Sequence, residues 1–112
     1  MITRHRTHGW LFAAALLGTA TIAGAATYYA DWTKPDDSGD GTNWATAKRT
    51  IQAAIDAGTG SGDTILVTNG FYGEGGKTYS TYTLTNRVLF TRKLTVQAVS
   101  TNPADTVIVG AP

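Results

Sequence analysis

A short helical pattern that leads through a glycine-rich turn into an apolar strand constrains this chain more than any other feature. Residues 44–57 carry apolar side chains at helical spacing, and residues 62–72 follow with an uninterrupted apolar run at 65–67. Further β-like runs lie at residues 87–90, 94–99 and 106–109. A capped helix followed by several short strands predicts the start of a solenoid, in which each unit stacks on the next.

The helix prediction rests on one apolar face and on the residues that flank it. The apolar face consists of Ile51, Ala54 and Ile55. Thr46 or Thr50 can cap the amino terminus, because a threonine hydroxyl accepts a hydrogen bond from a free N–H of the first turn. Gly58 is placed to end the helix in a left-handed conformation.

The first 26 residues have the pattern of a secretory signal peptide. Arginines and histidines at residues 4–8 precede an apolar run at residues 10–23 and the small-residue site Gly24-Ala25-Ala26. The apolar run is shorter than the ~20 residues that span a bilayer. We therefore predict cleavage near Ala26, a mature chain of residues 27–112, no membrane span after cleavage, and a secreted or cell-surface location.

The composition of the mature region excludes several classes of function. Its seven basic and eight acidic residues give a formal charge of −1, so the chain lacks the basic surface typical of nucleic-acid binding. It contains no cysteine, which excludes disulfides, zinc–thiolate sites and thiol nucleophiles. Both histidines lie in the predicted signal peptide, so no histidine-based triad or metal site is expected in the mature region.

One internal echo supports a repeat. The sequence of residues 63–67, Asp-Thr-Ile-Leu-Val, recurs at residues 105–109 as Asp-Thr-Val-Ile-Val. We therefore expect residues 65–67 to stack as a parallel strand on a later run, either 94–96 or 107–109. Because the sequence stops just after an apolar strand, we expect the front part of a longer protein, able to self-associate through its open C-terminal coil.

These segments resemble the N-terminal region of secreted right-handed parallel β-helix proteins of the pectin-lyase-like superfamily, including bacterial proteins with a DUF1565-type start. The matching elements are Tyr28-Tyr29, Trp44-Ala-Thr, the helix at 50–56, and the runs at 62–67, 69–72, 94–97 and 106–110. The resemblance implies an all-β solenoid with one short N-terminal capping helix, residues 27–112 forming the cap and first coils. The insertion at residues 73–83 departs from the pattern.

The resemblance also implies a function for the whole protein. The parent protein would act on or bind extracellular polysaccharide, as a lyase or hydrolase, or would be a non-enzymatic surface or adhesin-type protein. Lyases of this superfamily pair acidic calcium ligands with an arginine or lysine base. The corresponding residue types here, Arg87, Arg92, Lys93, Asp63, Glu74 and Asp105, are dispersed along the sequence. We therefore assign no catalytic, cofactor-binding or metal-binding residue, and expect this region to be non-catalytic by itself.

Two surface features remain as candidates for binding. Asp36, Ser38, Asp40 and Gly41 match the first positions of a calcium loop, but Ala47 stands where its bidentate carboxylate belongs. We therefore predict an acidic surface turn whose side chains bond their own backbone. Among the aromatic residues, Tyr79 and Tyr82 are the candidates for ligand contact. The others are expected to be structural, with Trp44 packing under the helix.

Overall fold

Short strands, a single α-helix and one 3-10 turn (Pro103–Asp105) make up the regular structure of the part of the chain that the computed structural model describes, residues 24–110. Residues 1–23 of the predicted signal peptide lie outside it. The elements are β1 (Thr27–Ala30), α1 (Ile51–Ala57), β2 (Asp63–Val67), β3 (Gly70–Tyr72), β4 (Lys77–Thr78), β5 (Thr85–Asn86), β6 (Leu94–Ala98) and β7 (Thr106–Ile108). Within these residues, no helix has the length and apolar character needed to cross a bilayer.

The strands form three small sheets. β1, β2 and β6 make a parallel sheet in that order, β3 and β7 make a parallel pair, and β4 and β5 make an antiparallel pair. The predicted parallel stacking of the 65–67 run on the strand that contains residues 94–96 is confirmed, with Ile65 of β2 opposite Val96 of β6 and residues 65–67 paired with 96–98. The alternative partner, residues 107–109, is wrong, because β7 pairs with β3 in a different sheet.

The expected right-handed parallel β-helix is wrong. Residues 24–110 form one helix and short strands in sheets of three, two and two, with no solenoid detected. A loop closes the outer edge of β1. The backbone N–H of Tyr29 donates to the Gly41 carbonyl oxygen, and the backbone N–H of Lys48 donates to the Tyr29 carbonyl oxygen, at 2.9 Å each. No further strand can pair with β1 there, and the two similar segments, residues 63–67 and 105–109, enter different sheets. Parallel pairing therefore stays local instead of generating a repeat.

The helix packs against the sheet as part of the core. Ile51, Ala54 and Ile55 are buried as predicted and join Ile65 and Val67 of β2 in one hydrophobic cluster. Ala30 of β1 and Tyr72 of β3 complete the buried set. Because β1 and β2 supply the other wall, the apolar face of α1 is covered by its own sheet, whereas the solenoid prediction made α1 an end cap.

The two ends of the helix differ in how well the sequence predicted them. Thr50 is the N-cap, and its hydroxyl accepts a hydrogen bond from the Ala53 N–H at 3.2 Å, which confirms one of the two predicted caps. Gly58 is extended, with φ −94° and ψ 154°, so the predicted left-handed ending is wrong. A Cβ at Gly58 would lie 2.5 Å from Oδ2 of Asp63 and 2.6 Å from the Tyr28 ring. Glycine is therefore required there by close packing.

Candidate functional site

A cleft of about 390 Å³ opens between the loop after β1, the residue before α1 and the end of β3. Its aromatic walls are Trp32 and Phe71, and its polar groups are Arg49 and Glu74. Trp32 is 43% exposed and Phe71 is 70% exposed, so both rings are accessible from solvent. An exposed pair of aromatic residues beside a few fixed polar groups is the composition typical of a ligand-binding cleft.

Trp32 is held in place by the turn between β2 and β3. Gly70 lies directly against the indole ring, and its φ of +148° is a conformation that residues with a Cβ rarely adopt. A Cβ at Gly70 would overlap the ring, so glycine is needed for Trp32 to sit there. The turn predicted from Asn69-Gly70 thus also positions Trp32, one of the two aromatic side chains that line the cleft.

The polar side of the cleft is a bidentate ion pair. Nε of Arg49 lies 2.8 Å from Oε2 of Glu74, and Nη2 lies 3.0 Å from Oε1. Nη1 of Arg49 donates to the carbonyl oxygens of Trp32 at 3.1 Å and Lys34 at 2.6 Å. Four hydrogen bonds therefore fix the guanidinium, which in turn orients the carboxylate at the rim.

The ion pair also sets the protonation state of the cleft. The hydrogen bond from Arg49 lowers the pKa of Glu74, and the hydrogen bond to Glu74 raises the pKa of Arg49. The Glu74 side chain is 66% exposed, and each of its oxygens retains a lone pair for another donor. Glu74 is therefore an ionised acceptor at the rim, with most of the guanidinium N–H groups of Arg49 already engaged.

The floor of the cleft is rigid. Tyr72 is 3% exposed, and its hydroxyl lies 2.8 Å from Oγ1 of Thr68 and 3.2 Å from the carbonyl oxygen of Ala30. Burial raises the pKa of the Tyr72 hydroxyl. Tyr72 is thus structural, as the sequence predicted, whereas the adjacent Phe71 of β3 is exposed.

The candidates for ligand contact that the sequence suggested lie elsewhere. Tyr79 and Tyr82 stack on each other with centroids 6.0 Å apart in the segment between β4 and β5. Tyr79 contributes to a smaller cleft of about 230 Å³ beside Lys77 and Phe90. The two tyrosines are exposed, but they are separate from the Trp32–Phe71 cleft.

Trp44 does not pack under the helix, so that prediction is wrong. Its ring meets Tyr29 edge to face, with centroids 4.6 Å apart, and it is 38% exposed. Trp44 contributes to a third, open cleft with Asp31 and Asn69. The ring covers the surface of β1 outside the buried cluster.

The acidic loop forms the surface turn that was predicted. Asp36 accepts a hydrogen bond from the Ser38 N–H at 2.8 Å, and Asp40 accepts bonds from the N–H and hydroxyl of Thr42. Bonding to Thr46 and Thr42 lowers the pKa of Asp40 to about 2. In residues 24–110, no group of three or more acidic or histidine side chains is placed to hold a metal ion.

The dispersed charged residues do not assemble into a lyase-type centre in the described part of the chain. Arg92 pairs with the buried Asp63 at 3.2 Å, and Glu74 pairs with Arg49 in the cleft. Arg87 donates to the carbonyl oxygens of Val109 and Gly75. Each of these arginines therefore has a structural role in this fold.

Little in the sequence indicated that these residues would form a cleft. Arg49 and Glu74 are 25 residues apart, and Trp32 and Phe71 belong to the segments that follow β1 and β2, which the parallel pairing of these strands brings together. The available signal was that Trp32 and Phe71 each lie just beyond a strand or turn, where side chains face solvent. Comparison with family models, curated proteins and solved structures gives no match for this chain.

Proposed function

We propose that the Trp32–Phe71 cleft binds neutral carbohydrate outside the cell, as a non-catalytic binding surface. The observation that carries the proposal is the position of two exposed aromatic rings beside the fixed Arg49–Glu74 pair in one cleft. The C–H face of a pyranose ring is apolar and slightly positive, which suits the negative face of an aromatic ring. The hydroxyl groups at the edge of the sugar supply the donors that Glu74 accepts.

The charges of the cleft favour a neutral sugar over an acidic one. Arg49 already makes four hydrogen bonds, so it has little capacity left for the carboxylate of a uronic acid. Glu74 is ionised and exposed at the rim, where it would repel a second carboxylate. A neutral polysaccharide meets neither obstacle.

The same groups support binding in preference to hydrolysis. Glycoside hydrolysis generally uses two carboxyl groups about 5 to 9.5 Å apart, one of which keeps its proton through a raised pKa. Among residues 24–110, Glu74 is the one carboxylate that lines the cleft, and Arg49 shifts the pKa of Glu74 downward. The predicted export of the chain makes an extracellular glycan the polysaccharide that it would meet.

Titration calorimetry of the secreted protein tests the proposal directly. The ligands are neutral β-linked gluco- and xylo-oligosaccharides, compared with galacturonate oligomers of equal length. We expect binding of a neutral series, and at least a tenfold loss of affinity, about 1.4 kcal/mol, in each of Trp32→Ala and Phe71→Ala. Tyr82→Ala is the matched control, because it removes an exposed aromatic ring outside the cleft.

Two results would overturn the proposal. One is the absence of binding to every neutral oligosaccharide by a protein that circular dichroism reports as folded. The other is binding that Tyr82→Ala weakens as much as Trp32→Ala does, because the cleft would then not be the site. Tighter binding of galacturonate than of neutral oligomers would contradict the charge argument.

A further inference from the structure

The carboxylate of Asp63 joins three segments of the chain in a buried position. Asp63 begins β2 and is 1% exposed. Its Oδ1 accepts a hydrogen bond from the backbone N–H of Ala26 at 2.9 Å, and its Oδ2 accepts from the Gly60 N–H at 3.0 Å and from Arg92 at 3.2 Å. A buried carboxylate is stable only with such partners, so each of them matters to the fold.

Ala26 is held at both of its backbone polar groups. Its N–H donates to Asp63, and its carbonyl oxygen accepts a hydrogen bond from the Thr64 N–H at 2.9 Å. A chain that began at Thr27 would lose both bonds and leave polar groups of β2 without these partners. A chain that began at Ala26 would keep both. The fold therefore distinguishes between two cleavage positions that differ by one residue.

The sequence before Ala26 fits cleavage of the Ala25–Ala26 bond, which gives a chain that begins at Ala26. In Ala23-Gly24-Ala25, small residues occupy the first and third positions before this bond, where export signals require them. Cleavage after Ala26, which the sequence predicted, would use Gly24 and Ala26 in the same two positions. Ala26 is exposed as a residue, so the bond before it is near the surface.

We propose that export cleaves the Ala25–Ala26 bond and that the new α-ammonium group of Ala26 forms an ion pair with Asp63. Water hydrolyses this peptide bond, leaving a carboxylate on Ala25 of the released peptide and an amino group on Ala26 that takes up a proton. A neutral N–H donor to Asp63 then becomes a charged one, and such bonds are shorter and stronger. Because Ala26 is exposed, water is available to the other two ammonium protons. Processing thereby strengthens the attachment of β1 to β2.

The first test identifies the terminus. The full-length gene is expressed with export, and the secreted protein is examined by N-terminal sequencing and intact mass. We expect the sequence Ala-Thr-Tyr-Tyr, beginning at Ala26. A product that begins at Thr27, or one that retains Ala25, would overturn the proposal.

The second test measures the ion pair. The secreted protein is treated with an amine-reactive ester at neutral pH, and labelling of the Ala26 amine is followed by peptide mapping. We expect Asp63→Asn to label several-fold faster than wild type, because the carboxylate keeps the amine protonated. Asp56→Asn, which removes an exposed carboxylate paired with Lys77, is the matched control and should label at the wild-type rate.

If Asp63→Asn is not secreted, the pH dependence of labelling in the wild type decides the question. An unperturbed α-amino group has a pKa of about 7.7 to 8.0. The charged groups that hydrogen bonding places at this amine are Asp63, whose charge would raise the amine pKa, and Arg92 on the other carboxylate oxygen, which would partly oppose that shift. A labelling midpoint above the ordinary range supports the ion pair, and a midpoint within it overturns the proposal.

Discussion

The side-chain amide of Gln52 binds both backbone polar groups of Leu89. Its Nε2 donates to the Leu89 carbonyl oxygen at 2.9 Å, and its Oε1 accepts from the Leu89 N–H at 2.7 Å. Gln52 is 4% exposed on the helix, so the pair is largely shielded from water. One side chain thus attaches the segment between β5 and β6 to α1 as a neighbouring strand would.

Replacing Gln52 should therefore lower the stability of the fold more than is usual for a polar residue near a helix end. We expect Gln52→Ala to lower the free energy of unfolding by about 2 to 3 kcal/mol, because two shielded backbone groups lose their partner. Urea unfolding followed by circular dichroism measures the change. Gln97→Ala removes an exposed glutamine from β6 and should change stability by less than about 0.5 kcal/mol. Equal effects of the two variants would contradict the assigned role.

Close packing at Gly58 leads to a second prediction. A Cβ at this position would meet Asp63, Tyr28 and Arg92 within 2.8 Å, so Gly58→Ala should destabilise the fold by about 1 to 3 kcal/mol. Gly73→Ala is the matched control, since its nearest neighbour would be Val109 at 3.7 Å. Thermal melts of both variants give the comparison. A Gly58→Ala variant with an unchanged melting temperature would mean that the loop between α1 and β2 rearranges to accommodate a Cβ at little cost.

Stability should fall in acid because folding lowers the pKa of key carboxyl groups. The hydrogen bond from the Ala26 N–H lowers the pKa of Asp63, and the Thr46 hydroxyl lowers that of Asp40 to about 2. A depressed folded pKa gives stabilisation that is complete above the unfolded value, about 3.8, and is lost as the pH falls through the folded value. The melting temperature should therefore drop between pH 4 and about 2.

Thr46→Val tests the contribution of Asp40 to this acid sensitivity. The variant removes the hydroxyl that makes a 2.5 Å bond to Asp40, so the pKa of Asp40 should rise toward its ordinary value. We expect a shallower loss of melting temperature between pH 4 and 2 than in the wild type. A pH profile that superimposes on that of the wild type would show that Asp40 does not contribute.

Self-association, expected from the sequence through an open C-terminal coil, remains a prediction, and β6 is the strand edge on which we now test it. β6 is an edge of the three-stranded sheet, and the exposed apolar residues Phe90 and Val99 flank it. The opposite edge of this sheet, at β1, is closed by the segment around Lys48, so within this sheet a second copy would pair β6 with β6, antiparallel about a two-fold axis. Sedimentation velocity should detect a dimer whose fraction rises with concentration. Gln97→Lys should reduce that fraction, and Thr85→Lys in the separate β4–β5 pair should not.

Local patterns in the sequence were sufficient for the elements near the helix. Thr50 caps α1, Ile51 and Ile55 face the core, and the apolar run at residues 65–67 becomes a buried parallel strand. Each depends on interactions between residues close in sequence, or on the simple need to cover an apolar face. The tertiary structure decided how many strands could stack. The loop that bonds to β1 closes one edge, and no single segment contains that information.

The sequence by itself determined the helix with its cap, the buried strand next to it and the acidic surface turn, because short-range hydrogen bonding and hydrophobic periodicity fix these features. Only the tertiary structure decided that Arg49 meets Glu74 beside Trp32, and that Asp63 receives the N–H of Ala26. These contacts join residues 17 to 37 positions apart. Partners at that distance are set by strand register and loop path, which depend on the packing of the whole core and have no local pattern in the chain.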